Sequence, residues 1–264
     1  MKKFLALVAF VVFFSSCSDY QKAIKSEDIA VKFAEASKQY DAGKYSKAIR
    51  LYEQISPLYK GKPQAEKMFY EYAQALYKTK QFYLAGYQFE SFASSYPKSD
   101  KMEEASFLGA KCFTKLSPSY SLDQTDTYKA IDKLQTFIDR YPESTFLPEA
   151  NVMVKALREK IEKKFFEVAK QYNTIADYKA SLIALDNFII NYPGTPYKEQ
   201  ALYYKFDSSY KLAINSIPSK VEERLNLAKV AYASLMKFNA NTEYKKQADE
   251  MLARIETDLK QFSK

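Results

Sequence analysis

The sequence predicts an all-α fold built from tandem helix pairs, on three observations. Helix-forming residues dominate, and only five glycines occur among the 264 residues. The endings "FASSYP", "FIDRYP" and "FIINYP" recur, each with a phenylalanine four residues before the tyrosine of a Tyr-Pro pair. Two distant segments also match, "KFAEASKQY" from Lys32 and "KFFEVAKQY" from Lys164. Such internal similarity is typical of helical repeat proteins, in which each helix pair packs on its neighbours.

The chain begins with a predicted lipoprotein signal peptide, residues 1–16. Two lysines precede an apolar run from Phe4 to Phe14, which is too short to span a membrane. The following "FSSC" resembles a lipobox, so Cys17 is the predicted lipidation site and residues 17–26 are a lipidated linker. An ordinary secretory signal that contains a cysteine is the alternative. Acyl chains on Cys17 would anchor the protein without a transmembrane helix.

The repeats follow from residue 27. Each Tyr-Pro pair is a predicted helix end, because proline lacks a backbone N–H and disfavours helix in the residue before it. The phenylalanine and tyrosine of each ending, four residues apart, should share one helix face. In the last four units a small residue opens the next helix: Ala105, Ala150, Ala201 and Ala248.

This pattern predicts a tetratricopeptide-like superhelix of about five helix-turn-helix units and about eleven helices. We expect N-terminal repeats over 27–145 and C-terminal repeats over 146–264. The seventh helix should be long, from about Leu147 to about Tyr172. The stretch "SPSYSLDQTD" at 117–126 is rich in Ser, Asp and Pro, which predicts an inserted loop.

The composition excludes most catalytic chemistry. Histidine is absent, which removes the commonest general base and the imidazole metal ligands. Apart from Cys17 the only thiol is Cys112, within an apolar helical pattern that predicts a core residue. We therefore expect no catalytic site, no metal and no cofactor. The net charge of +8 is scattered among acids, so no nucleic-acid partner is expected.

Two binding regions are candidates, because concave surfaces of helical repeats bind peptides or helices. The candidate peptide groove comprises Tyr70, Tyr77, Lys78 and Lys80. Its two tyrosines are seven residues apart, so a core stripe explains them equally well. The candidate partner face comprises Lys155, Arg158, Lys160, Lys163 and Lys164. A solvated helix face is the alternative for these charges.

The lipobox, the five repeat units, the endings "YPES" and "YPGT", and the run "EKKFFEVAKQY" leading to "DYKASLIALDNFIINYP" together resemble the BamD family, also called ComL or YfiO. These are tetratricopeptide-repeat lipoproteins that act as outer-membrane protein assembly factors. The first helix end departs from the pattern, reading "LYKGKP" where the family favours Tyr-Pro.

The resemblance implies a non-enzymatic scaffold at the periplasmic face of the outer membrane of a Gram-negative bacterium. Ser18 after the predicted lipidated cysteine, in place of aspartate, agrees with outer-membrane sorting. N-terminal repeats would receive unfolded outer-membrane protein precursors. C-terminal repeats would dock on the barrel-forming assembly subunit, which carries periplasmic repeats of its own.

Two other functions remain open. A tetratricopeptide lipoprotein of this kind could be an adaptor in cell-envelope or division machinery, which crosslinking to a barrel protein would distinguish. A surface glycan-binding lipoprotein is disfavoured, because such proteins use tryptophan platforms and this chain has no tryptophan.

Overall fold

The computed structural model describes residues 19–262, which form helices joined by turns and short loops, with no β-strand in that range. The predicted signal peptide and Cys17 lie outside the described residues. None of the helices between residues 19 and 262 is both long enough and apolar enough to cross a bilayer.

The predicted all-α fold of tetratricopeptide-like helix pairs is confirmed. After a helical segment at 19–25, the described chain forms eleven α-helices and a short 3-10 helix, Ser56–Leu58. The seventh is the longest, with 28 residues, as predicted. In order they are α1 (Ile29–Asp41), α2 (Tyr45–Ile55), α3 (Ala65–Lys78), α4 (Phe82–Ser95), α5 (Met102–Leu116), α6 (Thr125–Arg140), α7 (Leu147–Thr174), α8 (Tyr178–Asn191), α9 (Lys198–Ile214), α10 (Pro218–Phe238) and α11 (Lys245–Leu259).

The chain divides into two compact units. The first comprises the chain up to Pro118 together with Asp123–Leu157, and the second comprises Ser119–Leu122 and everything from Arg158. The division therefore falls inside α7, and the short segment 119–122 of the predicted loop belongs with the second unit. The domain boundary expected between residues 145 and 146 stays a prediction.

Aromatic and aliphatic side chains fill the core of the first unit, where Tyr52, Phe89 and Phe92 are almost fully buried. Two glycines allow α4 and α5 to approach closely. A Cβ at Gly86 would lie 3.1 Å from the ring of Phe113, and one at Gly109 would lie 3.3 Å from the Cβ of Phe89. Larger residues at these glycines would push the two helices apart.

Cys112 is also buried in this core, as the sequence predicts. Burial, with a smaller contribution from Glu90, raises the pKa of the thiol to about 12. The thiol is therefore protonated and unreactive near neutral pH.

The second unit has two clusters of buried side chains. One gathers Phe166, Leu185 and Phe188 around the junction of α7 and α8. The other joins α9, α10 and α11 through Phe206, Leu225, Leu235 and Ile255. Each cluster is formed by consecutive helices, which is the packing expected of repeats.

The Tyr-Pro pairs end their helices as predicted. Tyr96, Tyr141 and Tyr192 leave the helical conformation, with φ between −125° and −129° and ψ between 62° and 65°, because the helical conformation is disfavoured in a residue that precedes proline. Each tyrosine ring packs on the phenylalanine four residues earlier, with centroids 5.2 to 5.3 Å apart. The small residues that open the following helices are fully buried, namely Ala105, Ala150, Ala201 and Ala248.

A side-chain hydroxyl three residues after each of these helix ends, and after Asn239 at the end of α10, caps the start of the next helix. Ser144 Oγ accepts a hydrogen bond from the Phe146 N–H and donates one to Glu103, in the preceding first helix of a pair. Ser99 does the same with Lys101 and Glu66. Thr195 and Thr242 accept the equivalent backbone hydrogen bonds, from Tyr197 and Tyr244.

Three turns within helix pairs share one backbone conformation. Gly43, Lys80 and Ala176 have φ values of +69°, +63° and +64°. At each turn the N–H groups of this residue and of the next one bond back to carbonyls of the helix end, as at Ala176 to Asn173 and Asp177 to Tyr172. This is the Schellman arrangement, which satisfies the last carbonyls of a helix.

The described part of the predicted linker packs on the repeats. Residues 19–25 are helical, and Tyr20 and Ala23 are only 5% and 2% exposed. Lys32 of α1 donates to the carbonyl of Ile24 at 3.2 Å. The side chain of Asp28 then caps α1 by accepting from the Ala30 N–H at 2.8 Å. The chain thus joins the folded repeats from residue 19 onward.

Candidate functional site

The two tyrosines of the candidate peptide groove lie on α3, and both rings pack on α4. The Tyr70 ring centroid is 6.3 Å from that of Phe89 and 5.4 Å from that of Phe92. Tyr77 meets Phe89 edge-on at 6.4 Å. Both tyrosines are half-buried, so their rings stabilise the core while part of each side chain faces solvent.

The hydroxyl of Tyr70 belongs to a polar cluster. It accepts a hydrogen bond from Gln74 at 2.9 Å. Lys101 pairs with Glu104 at 3.2 Å and lies over the Tyr70 ring at 5.7 Å. Burial, with a smaller contribution from Glu104, raises the pKa of Tyr70 well above its usual value. Nearby on α1, burial and the charge of Glu71 raise the pKa of Tyr40 to about 12.

A buried carboxylate joins the first three helices. Glu71 of α3, which is 7% exposed, accepts hydrogen bonds from Ser37 of α1 and Tyr52 of α2, both at 2.6 Å. Lys67 lies 3.5 Å from its other oxygen. These buried polar groups satisfy one another, so the cluster links α1, α2 and α3 within the core.

The two lysines of the candidate groove are exposed. Lys78 is the last residue of α3, and Lys80 occupies the left-handed position of the following turn. They lie just past the aromatic part of the helix, and their role in binding stays a prediction.

The candidate partner face is divided by the structure, because Lys155 belongs to the first unit and the other four residues belong to the second. Two of those four hold the segment 119–122 against α7. Lys163 lies 4.5 Å from the centre of the Tyr120 ring, and Lys164 donates to the carbonyl of Leu122. Partial burial lowers the pKa of Lys160. Arg158 and Lys155 are exposed. Partner binding by these residues stays a prediction.

A feature that sequence reasoning missed is an apolar stripe on the second half of α7 and on Ile175, the residue directly after the helix. Phe165, Val168, Tyr172 and Ile175 are spaced by three or four residues, and each is 37% to 60% exposed. That spacing places them on one helix face. We call these four residues the α7 stripe. The signal is present in "KFFEVAKQYNTI", which has more apolar residues than one buried face needs, since Phe166 and Ala169 already fill the core.

The stripe has an ordered edge. The ring of Phe165 stacks on Tyr192, the helix-ending tyrosine of α8, with centroids 5.8 Å apart. An exposed apolar surface that is fixed in place in this way is typical of a protein interaction site.

Comparison with known proteins gives the family. The model of the YfiO family, described as outer membrane lipoprotein, matches residues 26–225, which is more than half of the chain. This chain belongs to the YfiO family. The resemblance seen in the sequence, to BamD, ComL or YfiO, is thereby confirmed.

Among curated relatives, the outer membrane protein assembly factor BamD of Neisseria gonorrhoeae is 25% identical over 218 residues, covering 76% of this chain and 82% of that protein. A putative BamD of Aquifex aeolicus (strain VF5) is 23% identical over 266 residues, covering 98% of this chain and 85% of the relative. Among solved structures, the chain is similar to the TPR2AB domain of yeast Sti1 in its pHSP90 complex. The TM-score is 0.41 at 15% identity, with 86% of this chain and 98% of that chain covered.

Proposed function

We propose that this member of the YfiO family is a lipid-anchored scaffold subunit of the machinery that assembles β-barrels in the outer membrane. Its first unit would bind unfolded barrel precursors, and its second unit would dock on the barrel-forming subunit. The observation that carries the proposal is family membership over residues 26–225, with relatives named outer membrane protein assembly factors. A lipid on Cys17 would hold the protein at the periplasmic face.

The chemistry of the first unit supports binding of extended peptides. A barrel precursor is an unfolded chain with alternating apolar and polar side chains. Half-buried tyrosines such as Tyr70 and Tyr77 can cover apolar side chains of a peptide. Lys78 and Lys80 would supply positive charge for a terminal carboxylate.

The second unit supports docking of a folded partner through the α7 stripe. The ring of Phe165 already stacks on Tyr192 in the free protein, which lowers the entropic cost of ordering it on association. The stripe would bind an apolar face on the periplasmic repeats of the barrel-forming subunit.

Depletion of the protein tests the proposed process. Folded outer-membrane barrels should fall in amount while periplasmic proteins stay constant. Crosslinking in the native envelope should also recover a large barrel protein with periplasmic repeats. Unchanged barrel levels, together with recovery of division or peptidoglycan proteins, would support the adaptor function instead.

A single substitution tests the proposed docking surface. Val168→Glu places a charge in the centre of the α7 stripe, at a residue that is 47% exposed, so the fold should be preserved. Copurification of the barrel-forming subunit should fall by roughly tenfold or more, as expected when a charge is buried in an apolar interface. Ile190→Glu makes the same change on α8, where Ile190 is 73% exposed, and is the matched control. Equal copurification of both variants and the wild type would exclude the stripe as the docking site.

A further inference from the structure

The folded part of the chain begins very close to the predicted lipid anchor. Residues 19–25, which we call the anchor segment, are helical and packed on α1 and α2, and Asp19 is only two residues after Cys17. We propose that the anchor segment holds the first unit directly against the membrane surface, with lipid headgroups as its partner. The inference rests on the proposed lipidation of Cys17.

Covalent geometry limits the distance between the Cα atoms of Cys17 and Asp19. Consecutive Cα atoms are about 3.8 Å apart, so the Cα of Asp19 lies at most about 7.6 Å from that of Cys17. A lipidated cysteine sits at the boundary of headgroups and acyl chains. A free linker of about ten residues would instead have an r.m.s. length of roughly 16–19 Å and a maximal reach near 35 Å. Packing of the anchor segment therefore shortens the tether by about twofold relative to the r.m.s. length of a free linker.

Contacts at both ends hold the anchor segment to the repeats. Near its start, Tyr20 is buried with Lys47 of α2 over its ring at 5.1 Å. At its end, Lys32 of α1 donates to the Ile24 carbonyl, and Ala23 is buried between these contacts. Lys38 adds an exposed ion pair with Asp19 at 3.8 Å, which contributes little by itself.

A hydrogen-bonded turn connects the anchor segment to α1. The Ser26 N–H bonds back to the carbonyl of Lys22 at 2.9 Å, and the Asp28 N–H bonds to Ser26 Oγ at 3.1 Å. Asp28 then caps α1. The orientation of the anchor segment on the membrane is therefore transmitted to the helix pair that follows.

The solvent-exposed side of the anchor segment is compatible with lipid headgroups but not with the acyl chains of the bilayer. Its exposed residues are polar or charged, namely Asp19, Gln21, Lys22 and Lys25. Two lysines against one aspartate give a small positive excess that favours anionic lipids. Both large apolar side chains of the segment, Tyr20 and Ile24, pack against the repeats, so insertion into the bilayer is not expected.

Lipid-borne quenchers can test this proximity on the full lipidated chain. Ser46→Cys places a fluorophore on α2, beside the lysine that covers Tyr20, and Thr136→Cys places one on α6, in the third helix pair. Cys112 is buried, so only the new thiol is labelled. The protein is reconstituted in vesicles of phosphatidylethanolamine and phosphatidylglycerol that contain a lipid with a nitroxide headgroup. We expect quenching at position 46 to exceed that at position 136 by roughly twofold or more, since stacked helices are 8–10 Å apart.

Two variants lengthen the tether by different routes. Inserting a Gly-Ser spacer of about 20 residues between Ser18 and Asp19 leaves every contact of the fold intact and adds an r.m.s. length of about 25 Å. Ala23→Asp places a carboxylate at a site that is 2% exposed and should release the anchor segment. Both should reduce quenching at position 46 to the level at position 136. If Ala23→Asp prevents folding, the spacer variant alone tests whether the anchor segment holds the first unit near the membrane.

The outcomes separate the inference from the proposed function. Equal quenching at the two positions in the membrane-bound wild type, or quenching that the spacer does not change, would overturn the inference and leave the scaffold function intact. A wild-type chain that incorporates no palmitate and does not bind vesicles would overturn both the lipid anchor and the inference. Barrel levels after depletion still report on the assembly function separately.

Discussion

At the scale of single residues, the turns within helix pairs show that different residue types can adopt the same backbone conformation. Gly43, Lys80 and Ala176 take the same left-handed conformation, but only the first is the residue that adopts it without strain. For a residue with a Cβ this conformation costs about 1–2 kcal/mol. The other two positions are held there by hydrogen bonds to the helix end and by packing of the pair.

Relieving this strain should stabilise the protein. Ala176→Gly should raise the free energy of unfolding by about 0.5–1 kcal/mol, because glycine removes the Cβ strain but gains entropy in the unfolded chain. Urea unfolding monitored by circular dichroism measures the change. Gly43→Ala is the reverse control: no atom lies within 4 Å of a Cβ there, so backbone strain alone should destabilise it by a similar amount. A destabilising effect of Ala176→Gly would contradict the argument.

Single residues also show where sequence reasoning is sufficient. The phenylalanine and tyrosine of each Tyr-Pro ending could be paired from their spacing alone, because residues four apart on a helix always share a face. Tyr70 and Tyr77 could not be assigned, because a spacing of seven fits both a core stripe and a groove. The structure gives these rings a packing role against Phe89, while binding by them stays a prediction.

At the scale of elements, consecutive helix pairs are joined by a hydroxyl after the Tyr-Pro turn. Ser144, which is 9% exposed, contacts both the start of α7 and the first turn of α5. Removing the hydroxyl leaves the Phe146 N–H and the Glu103 carboxylate without this partner. The junction therefore acts as a helix cap and as a link between pairs.

Ser144→Ala should lower the free energy of unfolding by about 1–2 kcal/mol, the usual effect of losing a cap together with a charged hydrogen bond. Thermal or urea unfolding measures it. A double-mutant cycle with Glu103→Ala should give a coupling energy of about 0.5–1 kcal/mol, since the two side chains are in direct contact. Ser94→Ala, at an exposed serine of α4, should change stability by less than about 0.5 kcal/mol. Strict additivity of the two substitutions would show that the Ser144 to Glu103 bond contributes nothing.

The number and order of the helices were predictable because their ends carry strong local signals, such as proline and glycine. The length of α7 followed from the absence of proline and glycine from Glu149 to Thr174, after Pro148 in the first turn of the helix. The α7 stripe was not predictable, because apolar periodicity does not tell which of two apolar faces is buried. Packing of the anchor segment was missed as well, since seven residues are too few to show a period.

At the scale of the whole molecule, stability depends on tyrosines that are buried as neutral phenols. The chain has 23 tyrosines and no tryptophan. Burial raises the pKa of Tyr72 to about 12, with a smaller contribution from Glu53, and burial likewise raises the pKa of Tyr40 to about 12. Such phenols fill interhelical space, while their hydroxyls stay near polar groups or solvent.

These raised pKa values make the folded state lose stability at alkaline pH. In the unfolded chain tyrosine ionises near pH 10, so between about pH 10 and pH 12 the unfolded state holds fewer protons than the folded state. The stabilisation is fully present below pH 10 and is lost as the pH rises through 12. Each buried tyrosine of this kind can steepen the fall of the unfolding free energy by up to about 1.4 kcal/mol per pH unit.

Comparing Tyr72→Phe with the wild type isolates one such group, because lysines ionise in the same range in both proteins and cancel in the difference. Tyr72 is 6% exposed and Phe keeps its ring, so the variant should fold. Urea unfolding as a function of pH should give parallel stability curves from pH 7 to 9. Above pH 10 the curve of the variant should fall less steeply than that of the wild type. Curves that remain parallel to pH 12 would mean that Tyr72 ionises equally well in the folded and the unfolded chain.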